Sequence, residues 1–254
     1  HEKITSIQKS GSEFLLTSEK STGQHQYVAD YVVLTTGDLN RARELNLPVE
    51  DLPHVSHYFD EPHRYFRKRL LVVGGRNSAV EAAIRCQRAG ADVAVSYRGD
   101  EFDTQSVKYW LAPEIEMLIK AERVTYYPLT IPTVITPQHV SLRQVQTGQC
   151  TQVPADFVLL LVGYEMDTTL MEQVGVALAG ENQAPQLDLQ TMQTNVSGFY
   201  VGGTAAAGTQ IRFQLFIENC HPHVGKIFKS ITGRQCPFDA TDKTHSNRYA
   251  LPES

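Results

Sequence analysis

A glycine pair between an apolar run and a helical pattern is the strongest chemical signal in this sequence. Leu70–Val73 lead directly into it, and small residues recur at helical spacing from Ala79 onward. The free amides at a helix N-terminus, together with the positive end of the helix dipole, hold phosphate groups. Strand, glycine turn and helix in this order predict the pyrophosphate-binding turn of a dinucleotide-binding fold. The residues predicted to line this turn are Gly74, Gly75, Arg76, Asn77, Ser78 and Ala79.

The strand after this helix predicts which dinucleotide binds. In proteins that bind NAD, an acidic residue at the end of the second strand hydrogen-bonds the ribose 2′-hydroxyl. Here the strand Asp92–Tyr97 is followed by Arg98, so this end of the strand offers a cation and no carboxylate. Arg98 is therefore predicted to bind a 2′-phosphate, and NADP is favoured over NAD.

Arg76 departs from the fingerprint G-x-G-x-x-A, which has glycine there because the backbone approaches the pyrophosphate closely. The Cβ of an arginine occupies that space, whereas its guanidinium is able to bind phosphate in a bidentate manner. Two interpretations follow: a working nucleotide site, or a strand–helix corner with a structural role alone. Lys108, in the loop 99–110, is in turn either a phosphate ligand or a solvated lysine.

Composition limits the classes of function. The chain has 254 residues, 41% of them hydrophobic and 20% charged, and its formal charge of −5 argues against nucleic acid as a partner. The apolar run 157–162 is far shorter than the ~20 residues that cross a bilayer, so no membrane span is predicted. No signal peptide is visible. The four cysteines form no C-x-x-C pair and favour a reduced, cytoplasmic protein.

Two segments rich in histidine raise the question of a metal site. Three histidines lie in the proline-containing stretch 47–63, and the sequence Cys220-His221-Pro222-His223 follows later. Neither segment has the ligand spacing or the full ligand set of a metal centre. Both are predicted to have structural roles, and no metal is expected.

A repeated strand suggests that the chain contains two copies of one unit. Ala29–Gly37 and Ala155–Gly163 are identical at five of nine positions, and each follows a set of short strands separated by turns. Chance similarity between two buried strands is the alternative. In the second copy Gly74 precedes Gly163 by 89 positions. The same separation counted back from Gly37 falls before His1, so a fragment without the N-terminal half of its first domain is expected.

Periodicity predicts further elements. Leu111–Lys120 is typical of a helix with Pro113 in its first turn, and Ile211–Ser230 is predicted to form a helix with one apolar side. A short strand near Val196–Val201 ends in glycines, which allow a backbone to approach a ligand closely. The polar residues from Gln235 onward are predicted to form a loose tail.

Together these residues resemble a known family. Two nucleotide domains, the second inserted into the first, resemble the low-molecular-weight thioredoxin-reductase-like flavoproteins, above all their bacillithiol-disulfide-reductase-like branch. The resemblance spans most of residues 27–225. It is carried by Glu50–His57, Gly74–Glu81, Tyr97–Phe102, Val107–Trp110 and Phe216–Asn219.

The resemblance implies an α/β fold of two dinucleotide-binding domains, of the FAD/NAD(P)-binding, Rossmann-like flavoprotein type, with three-stranded antiparallel meanders. The limits expected on this basis are 1–57 for a truncated first FAD segment, 58–166 for an NADPH-binding domain and 167–240 for a second FAD segment. Residues 241–254 form the tail.

The resemblance also implies an FAD enzyme that accepts hydride from NADPH and passes electrons to a disulfide. Gly163 falls where the NADPH strand approaches the nicotinamide end. Thr204 stands where related reductases often have an aspartate, and no redox dithiol is present, so the catalytic residue is unknown. The residues expected to line FAD are Thr36, Gly37, Gly203 and Thr204, with Gln214 and Leu215 facing the flavin ring.

Three functions remain open. The first is a flavoprotein reductase that acts on a small-molecule disulfide or a small redox protein. The second is a ferredoxin-type reductase of the same fold, which the lack of C-x-x-C also suits. The third is a non-catalytic nucleotide-binding module whose site Arg76 has altered. A cytoplasmic protein is expected in each case, and a homodimer is one possible assembly.

Overall fold

The computed structural model describes residues 1–47, 52–103, 107–210 and 214–237, and the chain forms two compact units. Unit 1 contains residues 1–41 and the described residues from 164 onward, and unit 2 contains residues 42–163. In sequence, unit 2 is therefore inserted into unit 1. The domain limits expected at 57/58 and 166/167 remain predictions, and the predicted tail 241–254 lies outside the described residues.

The elements are numbered in chain order. The strands are β1 Lys3–Ser10, β2 Glu13–Lys20, β3 Gly23–Ala29, β4 Val32–Leu34, β5 Arg41–Ala42, β6 Val55–Ser56, β7 Arg69–Val73, β8 Asp92–Ser96, β9 Val124–Tyr127, β10 Thr130–Ile135, β11 His139–Gln144, β12 Cys150–Pro154, β13 Phe157–Leu160, β14 Tyr164–Glu165, β15 Leu178–Ala179, β16 Ala184–Pro185 and β17 Phe199–Val201. The α-helices are α1 Asn77–Arg88, α2 Ala112–Lys120, α3 Thr169–Gln173 and α4 Pro222–Thr232. Short 3₁₀ helices are Pro62–Tyr65, Gly203–Ala207 and Ile217–Asn219.

Unit 2 is built on a parallel sheet of five strands in the order β6-β13-β7-β8-β9. Helix α1 connects β7 to β8, and α2 connects β8 to β9. The antiparallel meander β10-β11-β12 then leads into β13. Strand β7 therefore has its sequence successor on one side and a strand from much later in the chain on the other, which is the topology of a dinucleotide-binding half.

Burial explains why these residues form these elements. Strand β7 lies between two strands with helices on one face, and its residues Leu70–Val73 are all buried, as its continuous apolar run predicts. Helix α1 buries its small side, including Ala79, Ala83 and Cys86, against the sheet. Gly90 follows its C-cap with φ +90°, a conformation that favours glycine.

Asp156 joins the first residues of the two central strands of this sheet. Its Oδ1 accepts a hydrogen bond from Arg69 Nη2 at 2.6 Å, and its Oδ2 accepts from the Arg69 backbone N at 2.9 Å. These contacts with Arg69 lower the pKa of the Asp156 carboxyl to about 2. Because the pKa is depressed, the pair stabilises the fold above the ordinary value of 3.8, and the stabilisation is lost as the pH falls toward 2.

Asp156→Asn is therefore expected to lower the urea midpoint of unit 2 slightly at neutral pH, because the pair is partly exposed. The difference from the wild type should shrink as the pH falls through the range below 3.8. Emission from Trp110, the single tryptophan, reports unit 2. The control is Asp100→Asn, in the same unit as Trp110, where the aspartate is exposed and forms no ion pair with any described residue. A difference that stays constant with pH would contradict the assignment.

Unit 1 contains the antiparallel meander β1-β2-β3 and the parallel pair β4-β17. Its core is formed by residues from both parts of the chain, including Ile7, Phe14, Val32, Met171 and Phe199. Gln173 in α3 accepts a hydrogen bond from the Ile7 backbone at 2.9 Å, which ties the two parts together.

The two repeated strands have equivalent surroundings, which supports a duplication. Strand β4 follows the meander β1-β2-β3 and pairs in parallel with β17, and β13 follows the meander β10-β11-β12 and pairs in parallel with β7. The glycines that end the repeats, Gly37 and Gly163, both have positive φ, at +78° and +108°. The strands themselves are shorter than the nine-residue repeats.

One predicted helix is wrong in its extent. Residues 214–216 are not helical, a 3₁₀ turn covers Ile217–Asn219, and α4 begins at Pro222. Proline lacks an N–H group and its ring clashes with the preceding turn, so it is favoured in the first turn of a helix and kinks or breaks a helix interior. Residues 211–213 lie outside the described residues. In the described part of the chain, no helix has the length and apolar character that a membrane span requires.

Candidate functional site

The first candidate site lies at the carboxyl ends of the central strands of unit 2. The strand order reverses between β7 and β13, and such a switch point is where open α/β sheets bind ligands. The hydrogen-bond ladder continues past the strand ends, because Gly74 N donates to Ser96 O at 2.9 Å and Leu161 N donates to Val73 O at 2.8 Å. The predicted glycine turn therefore leaves the sheet at the switch point.

Gly74 is required by close packing as well as by its conformation. Its φ is +143°, a value that residues with side chains rarely adopt. A Cβ at this position would lie 2.3 Å from Leu161 O and 2.9 Å from the Cβ of Ala79. The turn thus brings β7, β13 and the start of α1 into direct contact, and the small side chain of Ala79 is part of the same contact.

Gly75 is required by a different neighbour. A Cβ there would lie 2.3 to 2.5 Å from atoms of the Tyr97 ring. The same ring lies against Gly99, where a Cβ would be 2.6 Å away, and stacks on Phe102 with ring centroids 5.9 Å apart. The aromatic ring at the end of β8 therefore packs flat against the glycine turn, a contact that the sequence pattern did not predict.

The start of α1 is free of side-chain caps. Its N-cap is Arg76, which makes no capping hydrogen bond, and the first turn contains no acidic residue. The predicted residues Arg76 and Ser78 are exposed, and Asn77 is half-buried. Within the described ranges, Arg76 forms no ion pair. The start of α1 therefore favours binding of an anion. It combines the positive end of the helix dipole, amides without side-chain caps and the unpaired guanidinium of Arg76.

The backbone around Arg98 is firmly held. Tyr97 N donates to Tyr127 O at 3.1 Å, Thr130 N donates to Tyr97 O at 3.0 Å, and Leu129 N donates to Gly99 O at 2.9 Å. The Arg98 side chain itself is exposed and, among the residues that the structure describes, has no carboxylate partner. A fixed backbone with a free guanidinium is the arrangement expected of a phosphate-binding arginine.

Gly163 lies on the other side of the switch point, at the end of the β13 segment. Its φ is +108°, its carbonyl accepts a hydrogen bond from Arg43 N at 3.1 Å, and a Cβ would have Arg43 as its nearest neighbour at 3.8 Å. Gly163 follows Leu161, which contacts Gly74, by two residues. The glycine turn, Arg98 and Gly163 therefore mark the ends of three adjacent strands.

The second candidate site is in unit 1, at the carboxyl ends of β4 and β17. Thr36 and Gly37 follow β4, and Gly203 and Thr204 follow β17. A Cβ at Gly37 would lie 3.6 Å from Thr204 Oγ1, so the two loops are in contact. Gly203 has φ +71°, and nothing lies within 4 Å of the position of its missing Cβ. The open space beside Gly203 leaves room for a ligand.

Gln210 organises the rest of this site, and the sequence pattern gave no signal for it. Its Nε2 donates to Asp38 Oδ2 and to Leu215 O, both at 2.9 Å. Its Oε1 accepts from Gln214 N at 3.0 Å and from Leu215 N at 2.9 Å. Asp38 is 4% exposed and directly follows Gly37. The amide of Gln210 therefore holds the predicted flavin-facing residues beside the loop after β4.

A cavity of about 720 Å³ lies against this segment. It is lined by Gln214 and Leu215 together with Thr209, Gln210 and His223. Its size falls within the about 300–1,000 Å³ of small-molecule sites. His223 Nδ1 is buried and has no hydrogen-bond partner among the residues that the structure describes, and burial lowers the pKa of the His223 imidazole. The sequence assigned His223 a structural role, so this orphaned nitrogen is a feature that the sequence did not predict.

These sites were compared with known proteins. The family model described as "Pyridine nucleotide-disulphide oxidoreductase" matches residues 1–203. The chain belongs to this family.

The chain is similar to two bacterial reductases that share a name. The chain is 36% identical over 214 residues to "Bacilliredoxin reductase Bdr" of Bacillus subtilis, a match that covers 84% of this chain and 65% of that protein. The solved structure "Bacillithiol Disulfide Reductase Bdr (YpdA) from Bacillus cereus" matches with a TM-score of 0.84 and 32% identity, over 92% of this chain and 71% of that one. The predicted resemblance and the fold class are confirmed. This chain spans about two thirds of the length of these relatives.

A more distant relative carries a different name. "Ferredoxin--NADP reductase" of Ignicoccus hospitalis is 24% identical over 208 residues, covering 80% of this chain and 64% of that protein. The chain is therefore similar to reductases that differ in their named electron acceptor.

Cysteine thiols are candidates for disulfide chemistry in a chain of this oxidoreductase family. Burial raises the pKa of the Cys86 thiol to about 12 and also raises that of Cys220, so neither forms a thiolate readily. All four cysteines are free. Within the described residues, no group of three or more histidine, cysteine or acidic side chains is arranged to hold a metal ion. The assignment of a catalytic residue stays open.

Proposed function

We propose that this chain is the NADPH-binding and flavin-contacting part of an oxidoreductase that transfers hydride from NADPH to FAD and electrons onward to a low-molecular-weight disulfide. The observation that carries the proposal is the position of the uncapped turn Gly74–Ala79 and of Arg98, on adjacent strand ends beside the switch point. Membership in the pyridine nucleotide-disulphide oxidoreductase family supports the proposal that the chain binds both NADPH and FAD.

The residues of unit 2 fit a dinucleotide. The turn at Gly74 brings the backbone to the strand ends without a side chain in the way, and the amides at the start of α1 offer donors to a pyrophosphate. Arg76 would add a second, bidentate phosphate contact from the N-cap. Arg98 would pair with the 2′-phosphate, and Gly163 would allow close approach at the nicotinamide end.

The residues of unit 1 fit part of a flavin site. Nothing lies within 4 Å of the position of a Cβ at Gly203, which favours a ligand beside it, and Gln210 holds Gln214 and Leu215 at the edge of the cavity. When bound, FAD supplies the redox chemistry, and the protein supplies orientation and electrostatics. In this proposal Thr36, Gly37 and Thr204 position the cofactor.

Arg98→Ala tests the proposal. A charge-assisted contact contributes roughly 1.5–3 kcal/mol, so removing it is expected to weaken NADPH binding by about 10- to 100-fold and leave NADH binding nearly unchanged. Calorimetric titration of the 254-residue chain with each nucleotide measures both affinities. Arg143→Ala, an exposed arginine on the meander of the same unit, is the control and should match the wild type.

The outcomes separate the candidate functions. Binding of NADPH by the wild type, together with a flavin absorption spectrum that NADPH bleaches, supports the reductase. A folded chain that gives no heat with either nucleotide supports the non-catalytic module. A preference for NADH would overturn the assignment of Arg98.

A second electron acceptor is proposed because a ferredoxin–NADP reductase also matches most of this chain. Reduced flavoprotein assayed in parallel against ferredoxin and against a bacillithiol mixed disulfide distinguishes the two. Faster turnover with the disulfide is the expected result, because the relatives with greater identity carry the disulfide-reductase name.

A further inference from the structure

The loop that enters α2 is fixed beside the proposed nucleotide site at two apolar positions. Val107 is 3% exposed and Leu111 is 8% exposed, and both belong to the core that contains Ala79 and Val80 from the first turn of α1. Leu111 N also donates to Lys108 O at 2.9 Å, which closes the turn between the two anchors. The three residues between the anchors therefore have a defined backbone.

One polar contact joins this loop to the start of α1. Asn77, the first residue of the helix, accepts a hydrogen bond at Oδ1 from the backbone N of Lys108 at 2.7 Å. Asn77 was predicted to lie on the NADPH site, which stays a prediction. In the structure its side-chain oxygen also holds a neighbouring loop.

The residues that the loop presents to solvent are a cation and two aromatic rings. Tyr109 is 68% exposed and Trp110 is 48% exposed. Their rings form an edge-to-face pair with centroids 4.9 Å apart, and Lys108 Nζ lies 5.1 Å from the Trp110 ring centroid. Large exposed rings on a fixed backbone retain apolar area that a planar ligand would cover. If Lys108 were only a solvated lysine, nothing would explain why two exposed aromatic rings and a cation lie beside the uncapped amides of α1.

We propose that Lys108 is a phosphate-binding residue of the nucleotide site, that Asn77 is the positioning residue that holds it there, and that Trp110 faces the bound nucleotide. This inference rests on the proposed dinucleotide site of unit 2. Lys108 follows β8 in the chain, as Arg98 does, and its backbone contacts the first residue of α1. Its ammonium group therefore lies within reach of phosphate bound at this helix.

The single tryptophan makes the inference directly measurable in the 254-residue chain. NADP⁺ is the probe, and a saturable change in Trp110 emission upon titration is the expected result. Lys108→Gln should weaken NADP⁺ binding by about tenfold, as expected for one charge-assisted contact. Lys120→Gln, an exposed lysine in the last turn of α2, is the matched control and should bind like the wild type.

A double-mutant cycle separates positioning from an independent contact. Asn77→Ala should weaken binding by a similar factor, and Asn77→Ala with Lys108→Gln should weaken it no further, because both changes remove the same interaction. Additive losses would overturn the positioning role. Circular dichroism of each variant verifies the fold, and Lys108→Gln, at an exposed side chain, tests the phosphate contact if Asn77→Ala does not fold.

Titration with NAD⁺ shows which phosphate is bound. If Lys108→Gln loses affinity for NADP⁺ alone, Lys108 binds the 2′-phosphate. If it loses the same affinity for both nucleotides, Lys108 binds the pyrophosphate. Unchanged affinity in Lys108→Gln, or unchanged Trp110 emission while calorimetry shows binding, overturns this inference and leaves the proposed function standing. Absence of binding by the wild-type chain overturns both.

Discussion

Gly74→Ala is expected to destabilise unit 2 by about 4 kcal/mol and to abolish dinucleotide binding. The new Cβ would lie 2.3 Å from the backbone oxygen of Leu161, on a residue whose φ is +143°. Neither the clash nor the positive φ is relieved by a side-chain rotation, because both involve backbone atoms. The Leu161 backbone cannot move away easily, since Leu161 N donates a hydrogen bond to Val73 O in the sheet. Urea unfolding followed by Trp110 emission measures the loss, because this residue belongs to unit 2.

Gly75→Ala provides the matched control for this prediction. Here the new Cβ conflicts with the ring of Tyr97 and not with backbone, so a smaller loss of about 1–2 kcal/mol is expected. Tyr97→Ala should restore part of the stability of Gly75→Ala and none of that of Gly74→Ala. Equal midpoints for the two glycine variants, or rescue of both by Tyr97→Ala, would contradict the proposed packing.

The framework of unit 2 was predictable because each of its signals is local. The apolar run 70–73, the glycine turn and the small residues of α1 are consecutive in sequence, and each fixes the conformation of its own neighbourhood. The similarity of Ala29–Gly37 to Ala155–Gly163 also predicted the strand before Gly163 and its counterpart before Gly37. These features predicted the strand ends at which Arg98 and Gly163 lie.

The contacts that complete the sites were not predictable because they join distant positions without periodicity. Tyr97 packs on Gly75 from 22 residues away, and Asn77 bonds to Lys108 from 31 residues away. The sequence pattern of a phosphate-binding turn accounts for Gly75 whether or not the ring of Tyr97 packs against it. Similarly, the apolar pattern of 211–230 continues across Pro222, so periodicity alone extended the predicted helix through a residue that disrupts a helix interior.

Gln210 makes four hydrogen bonds in unit 1, and Gln210→Ala is expected to lower the free energy of unfolding by about 3 kcal/mol. The substitution leaves the buried Asp38 without its amide donor and removes the acceptor of the Gln214 and Leu215 amides. The segment 214–219 should lose its protection against hydrogen exchange by about 10- to 100-fold, because its backbone is no longer held at Gln210. Hydrogen-exchange mass spectrometry of this segment measures the effect independently of any bound cofactor.

Two further variants identify which part of the Gln210 contact matters. Gln193→Ala, which removes a single hydrogen bond from Gly198 N at 2.8 Å in the same unit, should leave exchange at 214–219 unchanged. Gln210→Glu keeps an acceptor for the two amides but places a carboxylate against Asp38, so it should increase exchange nearly as much as Gln210→Ala. If Gln210→Glu retains wild-type protection, Asp38 is not the anchor, and the segment is held by its own 3₁₀ turn. If both variants lose protection together, the link from the β4 loop through Gln210 to Leu215 is what keeps the proposed flavin-facing residues in place.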